Sequence, residues 1–404
     1  MDYSNTLNII KAFFIALCLC SSFYLGYFSI HSTILNSILA LIGFSFLLGA
    51  NKGVYFWFGF FTGALWFYWI SFSFIYYELA YLMPLIIIGI ALFYGVVFGI
   101  IGFFSPSPFW QAFFLFLLTF FEPFGFNWLK LELPLVESYF GTEHWQFALF
   151  LFGIALLKLE HKKIFILGII PLFCSVSWTQ NIYQKPDIDV YFPNTNVSQK
   201  EIWSKAHQQK IISENFKHIE DAIEAKKELI ILPESAFPLY LNLEQQLLNR
   251  LKEYSKQITI VAGSLTYENK NMYNSSYLIQ NTNVEIAHKV LLVPFGEEVP
   301  FPEFLTKIIN DIFFNGAKDY IRATKPTDFR IKDIIFRNAI CFEATKDRLY
   351  EGNPSYMIAI SNNGWFKPSI EQTLQNRLLK LYAKRYNTVI FHSANSGISG
   401  VILP

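Results

Sequence analysis

Three residues in the second half of the chain have types and settings that could do chemistry together. Glu234 follows the apolar run LIILP, Lys289 lies inside HKVLLVPFGEEVPF, and Cys341 ends FRNAIC. Each stands at or near the end of a strand-like run beside small or turn residues, where layered α/β folds build their sites. A free thiol with a pKa of about 8.5 is mostly protonated at neutral pH. A carboxylate within hydrogen-bond reach can take that proton as the sulfur attacks. A lysine ammonium stabilises both the thiolate and the oxyanion of a tetrahedral intermediate. Glutamate, lysine and cysteine therefore suffice for acyl transfer without histidine.

Two more carboxylates accompany them. Glu297 lies eight residues after Lys289 and Glu343 lies two after Cys341. Spacing favours Glu297 over its neighbour Glu298, which reads as a surface charge. Taken singly, each residue has a plainer explanation. An apolar-flanked cysteine is commonly core, a glutamate after a strand is commonly a turn residue, and Glu343 could sit at a helix N-terminus. Three matching contexts tip the balance toward a site. Of four cysteines, Cys18, Cys20 and Cys174 fall in apolar runs, so the polar half has only Cys341 and no internal disulfide. One thiol without a Cys/His set does not make a metal site. GxGxxG, Walker and HExxH patterns are absent, so neither cofactor nor metal is expected.

The elements that must position these residues alternate. Strands are expected at 187–192, 229–233, 258–263, 275–281, 284–293, 334–341, 356–361 and 388–393. Helices are expected at 200–226, 243–256, 302–313, 344–351 and 370–386. Such alternation predicts an α/β layered domain.

The first half is different. Residues 1–180 carry six lysines, no arginine and seven acidic residues, against 26 basic and 24 acidic residues in the remainder. The whole chain is 53% hydrophobic and 19% aromatic at a net charge of +1, which excludes disorder and leaves no basic footprint for nucleic acid. Seven membrane spans are expected, at about 12–30, 32–49, 54–77, 81–104, 108–122, 145–157 and 164–178. Lys11, Lys52, Lys158, Lys162 and Lys163 then share one side, and the positive-inside rule puts the N-terminus in the cytoplasm and the polar half outside. The stretch 123–144 falls on that outer side, as an interfacial loop or the wall of a lipid site. The expected organisation is a transmembrane helical bundle over 1–180 and a catalytic domain over 181–404.

PESAFP, HKVLLVPFGEEVPF and AICFEA resemble the Glu–Lys–Cys motifs of the nitrilase superfamily of carbon–nitrogen hydrolases. Joined to seven spans, they resemble its membrane branch, the bacterial apolipoprotein N-acyltransferases. SNNGWF at 361–366, HSANSGIS at 392–399 and GFNWLKL at 125–131 are similar to segments of that family too. The resemblance implies an αββα sandwich. It implies Glu234 as general base, Lys289 as oxyanion and thiolate stabiliser, and Cys341 as nucleophile, supported by Glu297, Glu343 and Phe342. Trp203, seven residues after Asn196, matches a tryptophan near the lipid site, and Asn362, Trp365, Phe366 and Trp128 are further candidates for substrate contact. The implied reaction moves an sn-1 acyl chain from a phospholipid, phosphatidylethanolamine above all, through a cysteine thioester to the amine of a diacylglyceryl-cysteine apolipoprotein. The implied setting is a monomer among the lipids of the bacterial inner membrane, its catalytic domain in the periplasm. The alternative is a membrane-anchored amidase with the same three residues. Two departures stand out. Phe342 occupies a position where tyrosine is common, and the sequence stops at GVILP where the family has a further membrane helix.

Overall fold

The computed structural model describes residues 3–159, 162–178, 182–298 and 320–404. They form two compact units. One comprises Met1–Pro123, Asn127–Gln180 and Pro368–Leu381; the other comprises Phe124–Phe126, Asn181–Lys367 and Tyr382–Pro404.

The first unit is helical: α1 (Tyr3–Tyr27), α2 (Thr33–Leu47), α3 (Lys52–Phe67), α4 (Met83–Phe104), α5 (Pro108–Leu118), α6 (His144–Leu157) and α7 (Lys162–Cys174). Helix occupies each predicted span. Among the described residues, three helical stretches, Ser4–Tyr27, Lys52–Tyr77 and Ala80–Phe104, are long and apolar enough to cross a bilayer of about 30 Å. The others are shorter, and α5 stops at Leu118 where the run to residue 122 was expected to continue. Pairing of α3 with α4 depends on Gly59, because a β-carbon there would lie 2.3 Å from the Tyr94 carbonyl oxygen.

Part of the stretch read as an interfacial loop is instead packed inside this unit. Trp128 to Val136 are buried in irregular backbone. Buried irregular backbone is tolerated where protein partners replace water. Lys130 Nζ donates to the Thr119 carbonyl at 2.9 Å, and Glu132 accepts from the Thr119 hydroxyl at 3.0 Å. The first part of a late helix, α11 (Glu371–Tyr386), also belongs to this unit. Its buried Arg377 donates to Glu137 at 2.7 Å and to the Ser22 carbonyl at 2.8 Å.

Among its described residues the second unit holds two sheets. The first runs β1 (Val190–Tyr191), β2 (Leu229–Ile231), β4 (Thr259–Glu268), β5 (Asn271–Gln280) and β6 (Asn283–His288), with β3 (Phe237–Tyr240) also paired to β4. The second runs β11 (Gly400–Ile402), β10 (Val389–Asn395), β9 (Tyr356–Asn362), β8 (Ile334–Ile340) and β7 (Asp328–Ile331). Strand periodicity explains the layering. In β2, Leu229 and Ile231 face one way and pack with Phe329, Phe336, Ile340, Ile358 and Phe391 of the second sheet. Ile230 and Leu232 face the other way and pack under α9 (Lys205–Glu224) and α10 (Gln245–Tyr254). Both faces of this sheet are covered, so its central strands read as continuous apolar runs rather than alternating ones.

Several expectations are corrected. The helix expected over 200–226 is broken into α8 (Gln199–Ile202) and α9, because Ser204 adopts an extended conformation between them. The strand expected over 284–293 ends at His288. Strands β3, β7 and β11 lie outside the expected runs; β3 holds Pro238, and β7 alternates Asp328 and Arg330 with two apolar residues. The helix expected over 344–351 is two 3₁₀ turns, Cys341–Thr345 and Asp347–Tyr350, separated by Lys346 in extended conformation. The helix expected over 302–313 lies outside the described residues.

Candidate active site

Glu234, Lys289 and Cys341 each follow the end of a strand in the second unit. Glu234 stands three residues beyond β2, Lys289 directly after β6 and Cys341 directly after β8. The turn carrying Glu234 lies against β4, where Gly263 donates its N–H to the Pro233 carbonyl at 3.2 Å. A β-carbon on Gly263 would stand 2.5 Å from the Glu234 Cα, so only glycine permits this approach. Cys341 has φ +56°, left-handed backbone that costs a residue with a β-carbon about 1–3 kcal/mol. Its surroundings must hold it there.

Glu343 supplies much of that hold. One carboxylate oxygen accepts from the Ile340 N–H at 2.8 Å, and the other accepts from Val290 and Leu291 at 2.7 and 3.0 Å. The Cys341 turn is thereby tied to the residues that follow Lys289. Burial pushes the Glu343 carboxyl up to about 7, against Lys289 and the three N–H donors, which favour its charged form.

Lys289 is 1% exposed and makes its shortest ion pair with Glu297, at 2.7 Å, while Glu234 stands 3.8 Å away. Burial opposes its charge, but Glu297 and Glu234 more than offset this and raise the ammonium pKa. Lys289 is therefore a fixed cation. Glu234 is raised: burial dominates, the neighbouring Glu297 charge adds to it, and Lys289 opposes it. A hydrogen bond to the Cys341 thiol also acts on Glu234. Glu298 points elsewhere and pairs with Arg322 at 2.6 Å.

Reasoning from the sequence missed three participants. Asn274 donates to Glu234 and to Glu297, both at 2.8 Å, and so bridges the two carboxylates. Its signal was the polar triplet Asn274, Ser275 and Ser276 inside a strand, all buried. Gly263 carried no signal, since the need for it arises only when the Glu234 turn meets β4. Tyr320 lies close enough to Glu297 and Glu234 for both to act on its hydroxyl.

Phe342 is buried and stacks face to face on Phe126 at 5.8 Å. Asn362 donates to Gln199 at 2.8 Å and accepts from Asn395 at 3.0 Å, pinning the ends of β9 and β10 to α8. Trp365 and Phe366 are half-buried in the 3₁₀ turn after β9. Trp203 is 45% exposed in the turn between α8 and α9. Trp128 belongs to the helical unit and packs on Trp69 at 5.2 Å. Among the described residues, no group of three or more His, Cys, Asp or Glu side chains is placed to hold a metal ion.

A buried fixed cation, a raised carboxyl and a thiol hydrogen-bonded to it have the makings of covalent acyl chemistry. Residues 6–178 match the apolipoprotein N-acyltransferase integral membrane domain. The apolipoprotein N-acyltransferase of Wolinella succinogenes is 42% identical over 94% of this chain and 92% of its own. That of Campylobacter jejuni is 37% identical over 98% and 90%. Among solved structures, the chain is similar to a CN-hydrolase superfamily protein from Xanthomonas campestris at 12% identity and a TM-score of 0.38, over 54% of this chain and 78% of that one. At 42% identity along nearly the whole of both sequences, the chain belongs to the apolipoprotein N-acyltransferase family.

Proposed function

We propose that the protein transfers an sn-1 acyl chain from a phospholipid to the N-terminal amine of diacylglyceryl-cysteine apolipoproteins, with Cys341 as nucleophile. The convergence of Glu234, Lys289 and Cys341 in one buried cluster carries this reading. Glu234 takes the thiol proton as sulfur attacks the ester carbonyl. Lys289 stabilises the thiolate and the oxyanion. Collapse expels the sn-1 oxygen of the lysophospholipid, which receives the proton from Glu234 and leaves a Cys341 thioester. The α-amine of the acceptor then attacks the thioester, loses a proton to Glu234 and displaces the thiolate, which is reprotonated. This is a ping-pong scheme with a covalent intermediate. Glu297 holds Lys289 in place, and Glu343 holds the nucleophile turn.

Phosphatidylethanolamine is the proposed donor, by family resemblance. The same reading takes the helical unit as seven spans in the bacterial inner membrane, the second unit as an αββα sandwich in the periplasm, and the protein as a monomer. A bundle has a physical purpose here, because both substrates are lipids and a site at the bilayer surface keeps water from the thioester.

The test is the mass of the full-length protein after incubation with phosphatidylethanolamine and no acceptor. An acyl adduct located on Cys341 and lost in Cys341→Ala supports the reading. An adduct that persists in Cys341→Ala overturns the assignment. Ammonia released from a small amide, without lysophospholipid, would identify an amidase instead.

A further inference from the structure

Phe342 follows the proposed nucleophile, and its ring meets both an aromatic ring and an ammonium. The Phe126 ring stacks on it at an interplanar angle of 3°, and the Lys346 ammonium lies 5.7 Å from its centroid. The two holders are joined, since Lys346 Nζ donates to the Gly125 carbonyl at 2.9 Å, next to Phe126 in the chain. The circuit Phe126–Phe342–Lys346–Gly125 closes on itself. Phe124, at the other end of the same three-residue segment, packs edge-on against Phe295 at 5.6 Å. Phe295 lies two residues before Glu297 and has φ +62°. One short strap thus touches both the turn that carries Cys341 and the turn that carries Glu297, each with a residue in left-handed backbone.

Left-handed backbone at a residue with a β-carbon persists only where neighbours over-determine it. At Cys341 the backbone is fixed by Glu343 and by Thr345, whose hydroxyl donates to the Phe342 carbonyl at 2.7 Å. Those bonds fix the start and end of the turn. The Cys341–Phe342 peptide lies between those bonds, and its rotation, which directs the Phe342 N–H, carries the Phe342 side chain with it. A hydroxyl on that ring could anchor it to a polar partner; phenylalanine can be anchored only by stacking and by a cation over its face.

We propose that Phe126 and Lys346 are positioning residues for Cys341, acting through the ring of Phe342. They touch neither the proton being moved nor the acyl carbonyl, and their effect is on where the sulfur and the Phe342 N–H stand. The proposal rests on Cys341 as nucleophile, so its test has one arm that needs no acyl transfer.

In the full-length protein, two rates are measured on Cys341 by peptide mass: thioester formation from phosphatidylethanolamine in a single turnover, and alkylation by iodoacetamide across pH. Phe126→Ala is expected to slow thioester formation by about tenfold or more, as misplacement of a reacting group does. The phospholipid concentration giving half the maximal rate should stay near the wild-type value. The pH midpoint of alkylation should also move. Phe126→Tyr keeps the stacked face and should restore both. Lys346→Met should act like Phe126→Ala, and Lys346→Arg like Phe126→Tyr. Should Phe126→Ala fail to fold, the Lys346 pair carries the same test. Unchanged thioester and alkylation rates in Phe126→Ala and Lys346→Met would overturn the proposal. So would a change confined to the half-saturating phospholipid concentration, which would make the strap a lipid contact. If the wild-type protein forms no thioester while the alkylation midpoint still moves, the acyltransfer reading fails and the positioning role stands.

Discussion

In its proposed role as base Glu234 must be ionised, and burial together with the Glu297 charge makes ionisation harder. The rate of thioester formation should therefore fall as pH is lowered, with a midpoint above the ordinary glutamate value of about 4.3. Glu297→Gln removes a negative neighbour that raises Glu234 and frees Lys289 to act on it. Both changes favour the carboxylate, so the midpoint should move to lower pH even as the maximal rate drops. A midpoint moving upward would contradict this electrostatic account. Gly263 offers a steric counterpart. In Gly263→Ala a methyl 2.5 Å from the Glu234 Cα must push the base away, while Lys289 and Cys341 keep their own supports. Thioester formation should fall about a hundredfold, the loss typical of a displaced group of about 1 Å. At this scale the three proposed site residues were legible because Glu234 and Cys341 close apolar runs and Lys289 lies within one. Asn274 and Gly263 were not, because their roles lie in contacts between a strand and turns distant in sequence.

Elements show where local pattern and tertiary need diverge. The heart of each predicted strand in the first sheet is present, because buried apolar runs of that length have few alternatives. The stretch after Cys341 reads as helix and is instead two tight turns, since Cys341 must turn with positive φ to face Glu234. Helix α11 is the clearest divergence. Its amphipathic pattern predicts a helix and says nothing of what covers Arg377, which lies 1% exposed within the helical unit against Glu137. Lys380 reaches the same carboxylate. Removing Glu137 strands a buried charge, so Glu137→Gln should cost about 3–5 kcal/mol, read as thermal unfolding in detergent. Adding Arg377→Met to Glu137→Gln should recover much of that loss. A double variant as unstable as the single one would show that packing, rather than the charge, holds this contact.

For the whole molecule, charge distribution is the informative quantity. Few lysines populate the apolar half, and four of them, Lys52, Lys158, Lys162 and Lys163, fall at or beside helix ends that the proposed topology puts on one side of the membrane. Replacing those four by glutamine should reduce the fraction of molecules whose polar unit lies outside, measured by a membrane-impermeant biotin reagent on that unit in intact cells. An unchanged fraction would mean that orientation is set by other features. The same scarcity makes internal charges costly. Lys130, Glu132 and Glu137 each have a partner inside the helical unit, as a low-dielectric setting demands.

By itself the sequence determined the division into an apolar helical half and an α/β half, the presence of helix at each apolar run, and the three residues that could share one reaction. These follow from local quantities: hydrophobic run length, strand and helix periodicity, and residue type at strand ends. Tertiary structure decided the rest. It joined Glu234 and Glu297 through Asn274 and made Glu343 the tie between two turns. It set Cys341 in left-handed backbone and gave the Phe124–Phe126 segment to the second unit. Each of these depends on contacts between residues tens to hundreds of positions apart. Their energies come from burial and geometry, which no local window of sequence contains.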